Sequence, residues 1–358
     1  MSRSHIAAIA LIAATSLAPA PASIAQEGRQ AAIAPQRSLA ATQATGELTA
    51  EQQAQLADLA KSVDSRVLAG FRGREDLKAR MENDLRDIAK ISERSAKIRA
   101  IAAFQGRYSK DYREVLTAGG VDLRQVAERL RAIFPDGVFV VENGTHVVEA
   151  ETPPPPAAPP SPPATTRQAV TGPQMTQDPR SQGCGGGGTG RIDTSRPSGQ
   201  TNSAKVSNIG NCAGIGWMNY RFETPQGMKS RITGMVNLNA EASVVAVTGA
   251  SYASASTSVI RTGSNFATNG FGEFPHASAR VWVALAWAAS KSDPRPRQTI
   301  DEIDQRGLAG PIGVSYFRAR TSTSAWSLSF HGDADAWASV QNIDAVITTR
   351  PFALDEAR

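Results

Sequence analysis

The chain has 358 residues, 41% of them hydrophobic, and a formal net charge of +5, enough length and apolar content for two domains and a linker. The basic excess suits anionic neighbours such as lipopolysaccharide, peptidoglycan or nucleic acid, but it is too small to select one. No dense Lys/Arg patch interleaves with aromatics, so a dedicated nucleic-acid-binding protein is not expected.

The first 25 residues have three parts: basic "MSRSH", the apolar run "IAAIALIAATSLA", and "PAPASIA", which offers Ser23 and Ala25 as the −3 and −1 positions of a cleavage site. This is the secretory signal pattern, with a mature start near Gln26. The run is shorter than the roughly 20 residues of a membrane-spanning helix, no later stretch is apolar enough to span, and no cysteine follows it for a lipid anchor. A periplasmic or secreted protein is expected. Residues 26–46, rich in Ala, Gln and Thr, read as a flexible leader.

Thr49 and Gln52 have capping-box spacing, and Leu56, Leu59, Val63 and Val67 recur at helical steps. After a break at Gly70 and Gly73, the spacing of Leu77, Met81, Leu85, Ile88, Ile91, Ile98 and Ile101 predicts one long helix over 74–104. The two helices would form a hairpin or join an oligomeric coiled coil, although Asp84 and Ser95 interrupt the seam. A short helix is expected from Ser109 to Leu116. Another should follow Asp122, an N-cap, with Val121 and Val126 as a hydrophobic staple. "VFVVENGTHVVEA" reads as a β-hairpin turning at Asn143-Gly144. Residues 47–150 are thus expected to form a mainly helical domain closed by a hairpin.

Residues 151–204 read as a linker. The proline run Pro153–Pro163 would span about 34 Å as polyproline II and hold two modules apart, and the Gly-rich stretch after it reads as a continuation without regular structure. That stretch includes "GCGGGGTG", whose G-x-G-x-x-G spacing raises the question of a phosphate loop. Such a loop needs a strand before it and a helix after it. Here the preceding segment is polar and Pro-rich, and "TGRIDTSRPSGQ" cannot make a helix. Neither a nucleotide nor any other cofactor is expected. Cys184 and Cys212, the only two cysteines, are expected to form a disulfide in an oxidising compartment. Closing that loop stabilises by about 3–4 kcal/mol in the chain-entropy model.

From about Lys205 the character changes. All 5 tryptophans lie beyond it, and "MVNLNAEASV", "VWVALAWA" and "WSLSF" alternate as strands do, the last placing Trp326, Leu328 and Phe330 on one face. "TPQG", "RTGSNFATNGFG", "KSDPRPRQ" and "FHGDAD" read as loops, and "TIDEIDQRG" as a short helix. The expected fold class is α+β in two domains, with a C-terminal antiparallel, jelly-roll-like β-sandwich over 205–358.

Signals for chemistry are sparse. Beyond the leader the histidines are His146, His276 and His331. Asp333 and Asp335 have a spacing that could hold a cation. "GASYA" (Gly249–Ala253) departs from a serine-hydrolase elbow at its last position. Glu223, Glu241 and Glu273 could supply a glycosidase pair. The loop 262–276 carries Phe266, Phe271 and Phe274 among Asn265, Asn269 and glycines, and exposed aromatics of this kind stack on sugars or fill protein interfaces. The sequence therefore points to an exported, non-catalytic binding or assembly protein with a glycan or envelope-protein partner, self-associating through its helices. The alternative is a secreted polysaccharide hydrolase or lyase using carboxylates of the β domain.

Overall fold

A computed structural model of the chain describes residues 48–150, 166–169, 175–177, 181–195, 199–224, 228–263, 275–304 and 313–351. The signal and leader segments, the proline run and the loop 264–274 lie outside the described residues.

Helices come first: α1 (Ala50–Gly70), α2 (Glu75–Ala89), α3 (Arg94–Ala118) and α4 (Leu123–Ile133). The capping box is formed, Gln52 N donating to Thr49 Oγ1 at 3.0 Å and Thr49 N to Gln52 Oε1 at 3.1 Å. Asp122 caps α4 through Oδ1, which accepts from Arg124 N and Gln125 N. The helix expected over 74–104 is instead two, because Glu93 caps a new start by accepting from Ser95 N and Ala96 N. From there α3 runs unbroken to Ala118 and absorbs the short helix expected at 109–116.

The strands are β1 (Phe139–Glu142), β2 (His146–Glu149), β3 (Thr166–Ala169), β4 (Met175–Gln177), β5 (Ser181–Ser195), β6 (Gly199–Thr224), β7 (Met228–Ala246), β8 (Ser251–Gly263), β9 (His276–Val283), β10 (Trp287–Asp304) and β11 (Gly313–Pro351). Every described pairing is antiparallel. β1 and β2 turn at Asn143 and Gly144, both at positive φ (52° and 68°), as the Asn-Gly pair demands.

The sheet curls on itself. Asn202 and Gly214 belong to the same strand, and 12 residues of straight strand would separate them by about 40 Å. Yet Asn202 Nδ2 donates to Gly214 O at 2.9 Å. The fold-back occurs where β6 and β11 lose register, between Leu328 and Asp333. On one side of that bend β11 pairs with β8 over Ser315–Ser327; on the other it pairs with β7 over Asp333–Pro351. Two leaves result, and buried alanines line both: Ala253, Ala255, Ala319 and Ala325 in one, Ala240, Ala242, Ala336 and Ala338 in the other. The expected antiparallel sandwich is thus realised as one curled sheet.

Several boundaries move. The segment 181–195, expected to be unstructured, is β5, paired with β6 from Ser181↔Ile215 to Ser195↔Gly199. "KSDPRPRQ" lies in β10, as do residues 299–304 of the helix expected at "TIDEIDQRG"; the strand pairs with β7 across a register shift between Arg295 and Gln298. Over these residues, pairing with β7 overrides the local helical reading.

The helical segment and the sheet meet directly. The β1–β2 hairpin joins the sheet through β9, Val147 opposite Trp282 and Val148 opposite Val281. Tyr112 of α3 stacks on Trp287 with ring centroids 4.5 Å apart, and Phe134 stacks on Tyr252 at 5.1 Å. The apolar faces of the helices and Trp282, Trp287 and Trp326 of the sheet belong to one continuous core.

The turn between β9 and β10 shows how tightly the layers engage. Ala286 sits at φ 58°, in a region that L-residues rarely adopt. Both backbone groups of Leu285 are held by helix side chains: Asp64 accepts from its N–H at 3.2 Å, and Tyr112 donates to its carbonyl at 2.6 Å. Burial pushes the Asp64 carboxyl up to about 6, against the opposing effect of the Leu285 hydrogen bond. The unfolded chain releases this proton near pH 4, whereas the folded chain keeps it to about pH 6. Stability therefore falls as pH rises through that window, by about 2–3 kcal/mol in total, and is flat above it. Asp64→Asn retains an acceptor for Leu285 and should abolish this slope while raising stability at pH 7. Urea denaturation at a series of pH values checks it; an unchanged slope in the variant would assign the effect elsewhere.

Candidate functional site

The bend of β11 at Ser329–Gly332 is fixed by side chains rather than by a continuous ladder. Ser329 Oγ accepts from Val247 N at 3.0 Å and Thr248 N at 3.2 Å, across the β7–β8 turn. Ser327 Oγ accepts from Ser329 N and shares a hydrogen bond with Ser251 Oγ, each at 3.0 Å. Phe330 N donates to Thr248 Oγ1 at 3.1 Å, and His331 N to Asn208 Oδ1 at 2.8 Å. His331 and Asn208 both hold positive φ, 60° and 66°. A short Ser/Thr/Asn set thus satisfies the backbone that the bend would otherwise leave unpaired.

What this frame presents is apolar. The Phe330 side chain is 63% exposed and Ile209, on the facing strand, 41%. Asn208 and His331 beside them are also exposed. The expectation that Phe330 shares one strand face with Trp326 and Leu328 is corrected: Trp326 is buried, but past the bend Phe330 is 63% exposed.

The glycine run crosses the same bend on β5. A Cβ on Gly187 would lie 2.0 Å from Ser207 O, and one on Gly188 2.2 Å from Asn211 O. The run is there because β5 must lie against the folded β6. Cys184 and Cys212 are register partners on β5 and β6 and are joined by the disulfide.

Asp333, just past the bend, is buried. It accepts from Lys97 Nζ of α3, while Lys205 Nζ and Ser207 Oγ lie 3.6 Å and 3.4 Å from its Oδ1. Asp335 follows on the same strand face. Burial raises its carboxyl above the ordinary range and the charge of Asp333 raises it further, against Arg94, Lys97 and Lys205. Ammonium groups, rather than further carboxylates, surround the pair expected to hold a cation. Among the described residues no group of three His, Cys, Asp or Glu side chains gathers there or elsewhere.

The remaining candidates are dispersed. Glu223 pairs with Arg221 at 2.5 Å, whereas Glu241 lies in the other leaf with Arg94 at 3.7 Å. Ser251 of "GASYA" is buried and donates to Val245 O. His276 opens β9, and His146 in β2 shares a contact with Glu142 at 3.3 Å. Glu273 and the loop residues Asn265, Phe266, Asn269, Phe271 and Phe274 lie outside the described residues.

No protein-family model and no curated protein sequence matches the chain. Among solved structures, the family 11 carbohydrate-binding module of a cellulosomal cellulase of Clostridium thermocellum aligns at 10% identity over 54% of this chain and 99% of its own, with a TM-score of 0.15. The CBM22-1 xylan-binding domain of Paenibacillus barcinonensis Xyn10C aligns at 11% identity over 55% of this chain and 100% of its own, with a TM-score of 0.14. Superposition at this level does not define a common fold and brings no ligand with it.

Proposed function

We propose that the chain is an exported, non-catalytic binding protein that engages a glycan or an envelope-protein partner through the surface of its curled sheet. The observation that carries this reading is Phe330, 63% exposed on a bend held by hydrogen bonds to the β7–β8 turn and to Asn208 of β6. A rigidly mounted aromatic loses little entropy on binding and buries a large area, which is how binding surfaces gain most of their energy. Asn208 and His331 flank it with polar groups that can orient a sugar or a peptide. The secretory pattern at the N-terminus and the disulfide both suit an oxidising exterior. Phe266, Phe271 and Phe274, with Asn265 and Asn269, form the second contact in this proposal.

Phe330→Ala tests the reading. Capture of purified envelope fractions and binding on a glycan array should both be measured against the unchanged chain. The expected loss is about 2 kcal/mol, roughly 30-fold, in the assay that registers binding. Stability should stay within about 0.5 kcal/mol, as for other surface positions. Unaltered capture by the variant would remove Phe330 from the binding surface.

A further inference from the structure

Lys97 and Asp333 are each 1% exposed, lie 236 residues apart in sequence, and form a buried charged link between the helical layer and the sheet. Removing an ammonium and a carboxylate from water is costly, and their mutual attraction offsets the cost only in part. Condensation would eliminate both charges at once. The surroundings are arranged for such a step. Lys97 Nζ meets Oδ2, whereas Lys205 Nζ and Ser207 Oγ approach Oδ1, at 3.6 Å and 3.4 Å. Oδ1 is therefore the oxygen whose developing negative charge is stabilised, and Oδ2 the one free to leave.

We propose that Lys97 and Asp333 join in an intramolecular isopeptide bond, with Asp335 as the residue that relays the proton. Across their hydrogen bond the Lys97 ammonium passes a proton to Asp333, giving a neutral amine beside a carboxylic acid. The Nζ lone pair adds to Cγ. The Cγ–Oδ2 bond then breaks, and Oδ2, which already carries the transferred proton, leaves as water with a second proton from Nζ. The products are one amide and one water; nothing is oxidised or reduced, and no co-reactant is consumed. Asp335 stands two residues on, on the same strand face, as the register partner of Lys205, whose Nζ lies 3.6 Å from Asp333 Oδ1. Burial favours its protonated form, so it can give a proton to the departing oxygen and take one from the nitrogen. The bond would tie α3 to β11 covalently, as the disulfide ties β5 to β6.

Mass spectrometry of the folded full chain, denatured and reduced, is the direct test. Trypsin does not cut at an acylated lysine, so Ser95–Arg99 should remain attached to the peptide beginning at Thr321, the pair lighter by one water. Lys97→Arg should show no branched peptide. Asp335→Asn should form the link about a hundredfold more slowly, as loss of a proton relay does, while its circular dichroism stays that of the unchanged chain. Ordinary, unbranched peptides from the folded wild-type chain would overturn the proposal. Equal rates of linkage in Asp335→Asn and wild type would remove Asp335 from it. The wild-type measurement needs no variant to fold.

Discussion

Trp287→Ala should destabilise the whole described structure by about 3–5 kcal/mol, the range for truncating a large buried aromatic. Trp287 opens β10 and is 1% exposed. It receives Tyr112 in a stack at 4.5 Å and the edge of Phe104 at 5.3 Å, both from α3. Truncation leaves a cavity between helix and sheet, and neither layer can close it without losing its contacts with the other. Helix and sheet signals should therefore fall together, in one transition at lower urea concentration, in far-ultraviolet circular dichroism and tryptophan fluorescence alike. Trp287→Phe should cost less, because Trp287 Nε1 has no hydrogen-bond partner among the described residues and a phenyl ring still fills much of the space. Helices that persist at their original midpoint while the sheet melts earlier would show two independent modules after all.

That outcome bears on what the sequence reveals and what it hides. Short-range signals were legible: Thr49 and Asp122 cap their helices, Asn143-Gly144 turns its hairpin, and the alternation from Val236 to Val244 is a strand. Each depends on residues a few positions apart. The cysteine pair was legible for a different reason, since two cysteines allow a single intramolecular pairing. The glycine run of β5 was not legible, because its requirement comes from the backbone of Ser207 and Asn211 rather than from any pattern of its own. Phe330 was misplaced because period-two reasoning assumes a straight strand, and the bend turns its side chain outward. Lys97 sits on a charged helix where a solvated lysine is the ordinary reading; only a partner 236 residues away makes it buried. The candidate site and the Lys97–Asp333 link therefore emerge from the bend, a tertiary feature.

Asn202→Ala should be among the most damaging substitutions in the sheet, at about 3–5 kcal/mol, although it removes few atoms. Asn202 is fully buried between the leaves. Its Nδ2 donates to Gly214 O at 2.9 Å and Thr321 O at 3.2 Å, and its Oδ1 accepts from Thr323 Oγ1 at 2.9 Å. Gln200 repeats the motif one step along, accepting from Thr321 Oγ1 at 3.1 Å and donating to Trp217 O at 3.3 Å. Truncating Asn202 strands a buried hydroxyl and removes a donor from two carbonyls, at about 1–3 kcal/mol for each group left unsatisfied. The amide also fits only because its neighbour lacks a side chain: a Cβ on Gly214 would stand 2.8 Å from Asn202 Oδ1. Gly214→Ala alone should cost about 1–3 kcal/mol through overpacking. In the double variant the alanine methyl occupies space that the amide has vacated, so the two costs should sum to less than their total by about 1 kcal/mol or more. Urea denaturation of the four chains measures this directly. Strict additivity would mean that Asn202 and Gly214 do not share the space between the leaves, and the fold-back of β6 would then need another geometry.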